Sequence, residues 1–133
     1  MTFVGVPHIF YGDEIAMQGG HDPDNRRPFN WDFTKNIQAL ELHSWYKRLI
    51  KIRKENNSLR RGNFKFLKAK DNIIIYNRYL EQNELTIVIN NNTKDQTLDL
   101  PSPTYYDLVT ETQISQNTIS ALSGMILKKI END

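Results

Sequence analysis

Apolar residues crowd the first dozen positions without alternating. Phe3, Val4, Val6, Ile9, Phe10 and Tyr11 are interrupted only by Gly5, Pro7 and His8. A strand drawn through residues 3–11 carries apolar side chains on both faces, which suits a parallel strand covered on both sides, as in a barrel, better than an open edge. A single strand cannot make that barrel, so the segment requires strand neighbours.

Further along, the period changes. From about Asn36 to Asn57 the positions Ile37, Leu40, Trp45, Leu49 and Ile52 recur at helical spacing beside Leu42 and Tyr46, and Lys47, Arg48, Lys51 and Lys54 form the polar face. Thr34 or Asn36 can cap the start, and Asn56-Asn57-Ser58 ends the helix. Trp45 lies on the apolar stripe and is expected in the core. After Gly62 short β runs follow: residues 64–69, 73–79, 85–90, 96–100, 105–109, 118–122 and 125–130. The separators, among them Lys70-Asp71-Asn72, Asn91 to Asp95 and Pro101-Ser102-Pro103, have turn chemistry. Strands at this spacing predict an antiparallel sandwich or barrel.

Composition narrows the possibilities. The 133 residues can form one ordinary core plus a fragment of another. Seventeen Lys and Arg against sixteen Asp and Glu give a net charge of +1, which argues against a nucleic-acid or membrane-surface binder. Ten of the seventeen fall between Lys47 and Lys70, but Phe64 and Phe66 alternate there as the buried face of a strand would, so a solvated basic face is the favoured reading. Without cysteine there are no disulfides or thiolate metal sites. The first residues lack the basic start and long apolar core of a signal peptide, and no segment has transmembrane length, so a cytoplasmic location is expected.

The most informative residues are Gly5-Val6-Pro7-His8-Ile9-Phe10-Tyr11-Gly12-Asp13-Glu14, then Gly19-Gly20, Asp22-Pro23-Asp24-Asn25-Arg26-Arg27 and Trp31-Asp32. They resemble the eighth strand and following loop of the catalytic barrel in the α-amylase family of glycoside hydrolases, and within it the neopullulanase, cyclomaltodextrinase and maltogenic amylase group. Phe10 stands where that group commonly has Tyr, Ala16 where it has Gly and Phe29 where it has Met. The resemblance implies a mainly β chain with one long helix. Residues 1–58 would be the end of a (β/α)8 barrel, comprising last strand, substrate loop and closing helix, and residues 59–133 an antiparallel β-sandwich domain. It also implies that the nucleophile, the proton donor and the stabilising Asp belong to earlier strands, so no catalytic residue is expected here.

Asp13 and Glu14 agree with that expectation, because neighbours on an extended chain point to opposite faces and cannot flank one glycosidic bond. Asp22 and Arg26 are the candidate substrate-binding residues. A carboxylate and a guanidinium can hold a glucose ring through complementary hydrogen bonds, and by resemblance these two contact substrate on the non-reducing side. The competing reading, a loop-fixing ion-pair network, is favoured for Asp24 and Arg27. His21, Asp22 and Asp24 suggest a calcium loop, but Arg27 and Phe33 stand where that loop needs Gly and an acid, so no metal and no cofactor is expected. Gly19-Gly20 lacks the following Lys of a phosphate cradle and reads as a hinge. Trp31, beside Phe29, could stack on sugar, though anchoring the loop to the helix is the favoured role. His8 and His43 are expected to be structural.

Three functions fit. The first is the C-terminal part of an α-glucan-hydrolysing glycosidase that cleaves α-1,4 bonds in cyclodextrins, pullulan or maltooligosaccharides with retention, this chain being inactive alone. Its partners would be the rest of the barrel, an α-glucan oligosaccharide and a possible second copy of itself. The second is a carbohydrate-binding sandwich with Tyr76, Tyr79, Tyr105 and Tyr106 as its platform. The third is a purely structural buttress.

Overall fold

The computed structural model describes residues 1–100, 104–114 and 117–130. The chain forms two compact units: Met1–Gly5 together with the chain from Ile52 onward, and Val6–Lys51.

Val6–Lys51 contains three short 3₁₀ turns, Asp13–Ile15, Asp24–Arg26 and Trp31–Lys35, and most of helix α1, Ile37–Glu55. Asn36 is the cap, its side-chain oxygen accepting from the backbone N–H groups of Gln38 at 3.0 Å and Ala39 at 3.2 Å. The long helix expected from the apolar period is therefore present within two residues of its predicted ends. Trp45 departs from expectation, for it is 40% exposed in this chain and not in the core. An indole on an apolar stripe reaches the core only where another element covers that side of the helix.

The strand expected over residues 3–11 makes no ladder among the described residues. A strand needs a neighbour to take its N–H and C=O groups, and among the described residues no strand pairs with this segment. Val6 is accordingly 95% exposed.

The second unit is the β domain. After the short helix α2 (Asn57–Arg61), strands β1 (Asn63–Lys70), β2 (Ile73–Leu80), β3 (Asn83–Asn90), β4 (Gln96–Thr97), β5 (Tyr105–Asp107), β6 (Thr112–Ile114), β7 (Thr118–Ile119) and β8 (Ser123–Lys129) follow. All described pairings are antiparallel. They form a six-stranded sheet of order β1-β2-β3-β8-β5-β6 and a two-stranded sheet, β4-β7. The expected strand over 96–100 pairs only at its first two residues, β6 is additional to the expected set, and the turn at Pro101-Ser102-Pro103 lies outside the described residues. Asp71 and Asn72 turn β1 into β2 with φ of 57° and 56°, a left-handed pair that Asp and Asn tolerate better than most residues.

Register explains the core. On one face of the large sheet Ile73, Ile75, Val88, Leu127 and Tyr105 pack with Leu98, Leu100 and Ile119 from the β4-β7 side. On the other face Tyr76, Arg78, Leu85, Ile87 and Ile126 are buried. There the ring of Phe3 packs edge-on against Phe64 and Tyr76, with centroids 5.0 and 5.9 Å away, and α2 contacts β2 and β3. Leu85–Val88 in β3 are four consecutive buried residues, the signature of a strand covered on both faces. Burying each such aliphatic side chain contributes about 1.5–3 kcal/mol. Asp107 locks the far side: its Oδ1 accepts from Val109 N and Ile126 N, both at 3.1 Å, and its Oδ2 accepts from Thr110 N at 3.3 Å and Thr110 Oγ1 at 2.9 Å.

Candidate functional site

The loop between Gly12 and Asn36 is built on local hydrogen bonds. Gly12 has φ of 95°, and a Cβ there would lie 2.9 Å from that of Met17, so both the backbone angle and the space require glycine. Met17 N donates to Gly12 O at 2.9 Å, closing the first bend around buried Ile15. Asp13 and Glu14 turn back on this bend: Asp13 Oδ2 accepts from Phe10 N at 3.3 Å and Glu14 Oε2 from Gly12 N at 2.8 Å. Both carboxylates are thus engaged with backbone N–H groups just before their own turn.

Asp24 and Arg27 form the paired fork that fixes the second bend. Arg27 Nε and Nη2 reach the two Asp24 oxygens at 2.6 and 2.7 Å, and its Nη1 donates to Gln18 O at 3.3 Å. The Arg27 guanidinium holds the Asp24 carboxyl below its ordinary value, and Asp24 raises Arg27 in return. Tyr11 Oη donates to Arg27 O at 3.0 Å, tying the segment before the loop to its far limb. This is the loop-fixing network expected of Asp24 and Arg27.

Asp22 and Arg26 are differently placed. Arg26 Nε lies 2.7 Å from Asp22 Oδ1, and their side chains remain 75% and 60% exposed for Arg26 and Asp22 respectively. They meet each other and leave most of their hydrogen-bonding edges to solvent. A groove of about 360 Å³ opens nearby in the sequence, lined by Ile15, Met17, Arg27, Asn30, Phe33 and Ala39 among others. Asp22 and Arg26 are not among its lining residues.

The aromatics form a chain. Phe29 packs against Trp31 at 4.8 Å and Phe33 at 6.2 Å, and Phe33 against His43 of α1 at 4.9 Å. Phe33 and His43 therefore anchor the loop to the helix, a role expected of Trp31. Trp31 is instead 81% exposed, with its ring packed in a T-shaped contact against Phe29. His43 is structural as expected, whereas His8 is exposed. Among the described residues no group of His, Cys, Asp and Glu is arranged to hold a metal ion, and no helix is long and apolar enough to cross a membrane.

The tyrosines of the β domain do not assemble a platform. Tyr76 and Tyr105 are buried. Tyr79 pairs with Glu84 and Tyr106 with Lys128, and the alternation carried through β3 and β8 puts Tyr79 and Tyr106 on opposite faces of the sheet.

An antiparallel two-sheet domain preceded by a long helix and an Asp- and Arg-rich loop defines a class, the terminal β domain of amylase-type enzymes. Residues 62–119 match the family described as alpha-amylase C-terminal domain. The chain is 35% identical to neopullulanase 2 of Thermoactinomyces vulgaris, over 96% of this chain and 24% of that protein. It is 39% identical to a cyclomaltodextrinase of Thermoanaerobacter pseudethanolicus, over 74% of this chain and 17% of that protein. Among solved structures, the α-amylase of Geobacillus thermoleovorans, in complex with acarbose, matches 99% of this chain and 31% of its own with a TM-score of 0.83 at 27% identity. The maltogenic amylase of S. marinus matches 90% of this chain and 16% of its own with a TM-score of 0.76 at 34% identity. The chain belongs to the α-amylase family, with an alpha-amylase C-terminal β domain. It spans 17% and 24% of the lengths of the two relatives named.

Proposed function

We propose that this chain serves a glycosidase that cleaves α-1,4 bonds in cyclodextrins, pullulan or maltooligosaccharides, contributing substrate contacts and barrel closure and no reacting carboxylate. The observation that carries the substrate role is the exposed Asp22–Arg26 pair, 2.7 Å apart. A carboxylate that accepts and a guanidinium that donates, side by side and open to solvent, match the alternating donors and acceptors on adjacent sugar hydroxyls. Retaining hydrolysis needs a nucleophile and an acid about 5–5.5 Å apart. Asp13 and Glu14 are instead engaged with backbone amides of their own turn. The purified chain is expected to release no sugar from β-cyclodextrin.

The test is an NMR titration of the chain with millimolar maltoheptaose. Amide shifts confined to the Gly20–Arg27 loop, lost in Asp22→Ala and Arg26→Ala, are the expected result. Shifts on the β domain that survive both substitutions would favour a binding sandwich instead.

A further inference from the structure

The chain passes between its two compact units twice, at Gly5–Val6 and at Lys51–Ile52. Arg53, two residues past the second crossing, reaches back to the first. Its Nη2 donates to Gly5 O at 2.6 Å, and its Nη1 to Met1 O at 2.6 Å and Phe3 O at 3.3 Å. Arg78, buried in β2, takes another carbonyl of this stretch: its Nη1 donates to Thr2 O at 2.7 Å, while Nη2 and Nε hold Gly62 O at 3.0 Å and Asn63 O at 3.2 Å. Tyr76 Oη and Thr2 Oγ1 share a further hydrogen bond of 2.7 Å.

Among the described residues neither guanidinium forms an ion pair with a carboxylate. Burial and the nearby charge of Arg53 both lower the Arg78 pKa. Two cations kept close together and satisfied by main-chain oxygens are an expensive way to fill space, since aliphatic side chains would pack there without desolvating charge. What they provide is a grip on backbone that does not depend on side chains. Gly5, the last residue before the crossing, has φ of 96°, a conformation that disfavours any other residue although its Cβ would meet nothing within 4 Å. Its carbonyl is thus presented to Arg53 by a backbone angle and not by packing.

We propose that Arg53 is a positioning residue: assisted by Arg78, it pins the two chain crossings together and so fixes the start of the segment that carries the Asp22–Arg26 loop. Its effect on glucan rests on the function proposed above. Lysine cannot replace it, because one ammonium on a flexible stem does not reproduce a planar fork spanning three carbonyls.

The test measures backbone order in the full chain by 15N relaxation. In the wild type, Phe3–Val6 are expected to be as rigid as β2, with order parameters of about 0.85. In Arg53→Gln and Arg53→Lys they should fall below about 0.6, with the amide shifts of β2 and β3 retained. Unchanged order in both variants, or loss of the sheet resonances in both, overturns the proposal, the latter because Arg53 would then be a folding residue. In the same samples maltoheptaose should bind several-fold more weakly to Arg53→Gln than to wild type. If the wild-type chain binds no glucan, the proposed function fails, and the order parameters alone decide the pin.

Discussion

Asp22 and Arg26 are paired at 2.7 Å on the surface of their loop, whereas two residues further on Asp24 grips Arg27 through both of its oxygens. Two acid–base pairs of the same composition therefore do different work, one holding the loop and one facing outward. Removing the outward pair should barely touch the fold, because exposed ion pairs stabilise little. Asp22→Ala and Arg26→Ala are each expected to keep Tm within a few degrees of wild type by calorimetry. A large drop would recast the pair as structural.

The loop-holding pair should respond to acid in a predictable direction. Asp24 is depressed by Arg27, so its contribution to loop order is present above the ordinary aspartate range and is lost as pH falls through the lower folded value. The Arg27 Nε–H signal is expected to persist at about pH 4, where unperturbed aspartates are half protonated, and to vanish only below it. Titration of this signal together with ordinary aspartates would contradict the pairing.

Asp107 offers a test of the β domain. Its two oxygens receive four donors, three of them backbone N–H groups. In Asp107→Asn one oxygen becomes an NH2 group, and if that group replaces Oδ2 it meets the donor of Thr110 head-on. A loss of about 1–3 kcal/mol in urea unfolding is expected. Asp107→Ala, which removes the acceptor from every donor, should cost more.

Arg78→Met replaces the buried guanidinium with an apolar chain and leaves the carbonyls of Thr2, Gly62 and Asn63 without that donor. Destabilisation on the order of 3 kcal/mol is expected from denaturant curves. A neutral result would show that water takes over all three carbonyls.

Alkali should probe the same corner. Burial raises the Tyr76 pKa, with its bond to Thr2 and the charge of Arg78 opposing. A hydroxyl whose folded pKa exceeds its unfolded one stabilises the fold below the unfolded value, and that contribution is lost as pH rises through the folded value. Ultraviolet titration should therefore show a tyrosine phase above about pH 10 that belongs to Tyr76, with stability falling over the same range. Tyr76→Phe should abolish that phase.

Much of this molecule was written locally. The helix could be drawn from its apolar period and Asn36, because capping and periodicity depend only on neighbours along the chain. The hairpin at Asp71-Asn72 followed from turn chemistry, and the Asp24–Arg27 fork from two opposite charges three residues apart. The surroundings of Trp31 and Trp45 are not legible locally, since whether an indole is covered depends on elements far away in sequence. Arg78 leaves one signal in the sequence, an arginine at an inward position of an apolar strand between Tyr76 and Leu80.

The sequence by itself determined the long helix, the hairpin strands β1 to β3 and which loop carries the charges, because those choices are governed by backbone propensity and contacts within a few residues. Only the tertiary structure decided that Arg53 and Arg78 close on the carbonyls of Met1–Gly5, that Tyr79 and Tyr106 stand on opposite faces, and that Asp22 and Arg26 remain exposed. Each of those facts joins residues brought together by sheet register or long-range packing, and a one-residue shift in register would reverse which side chains the core receives.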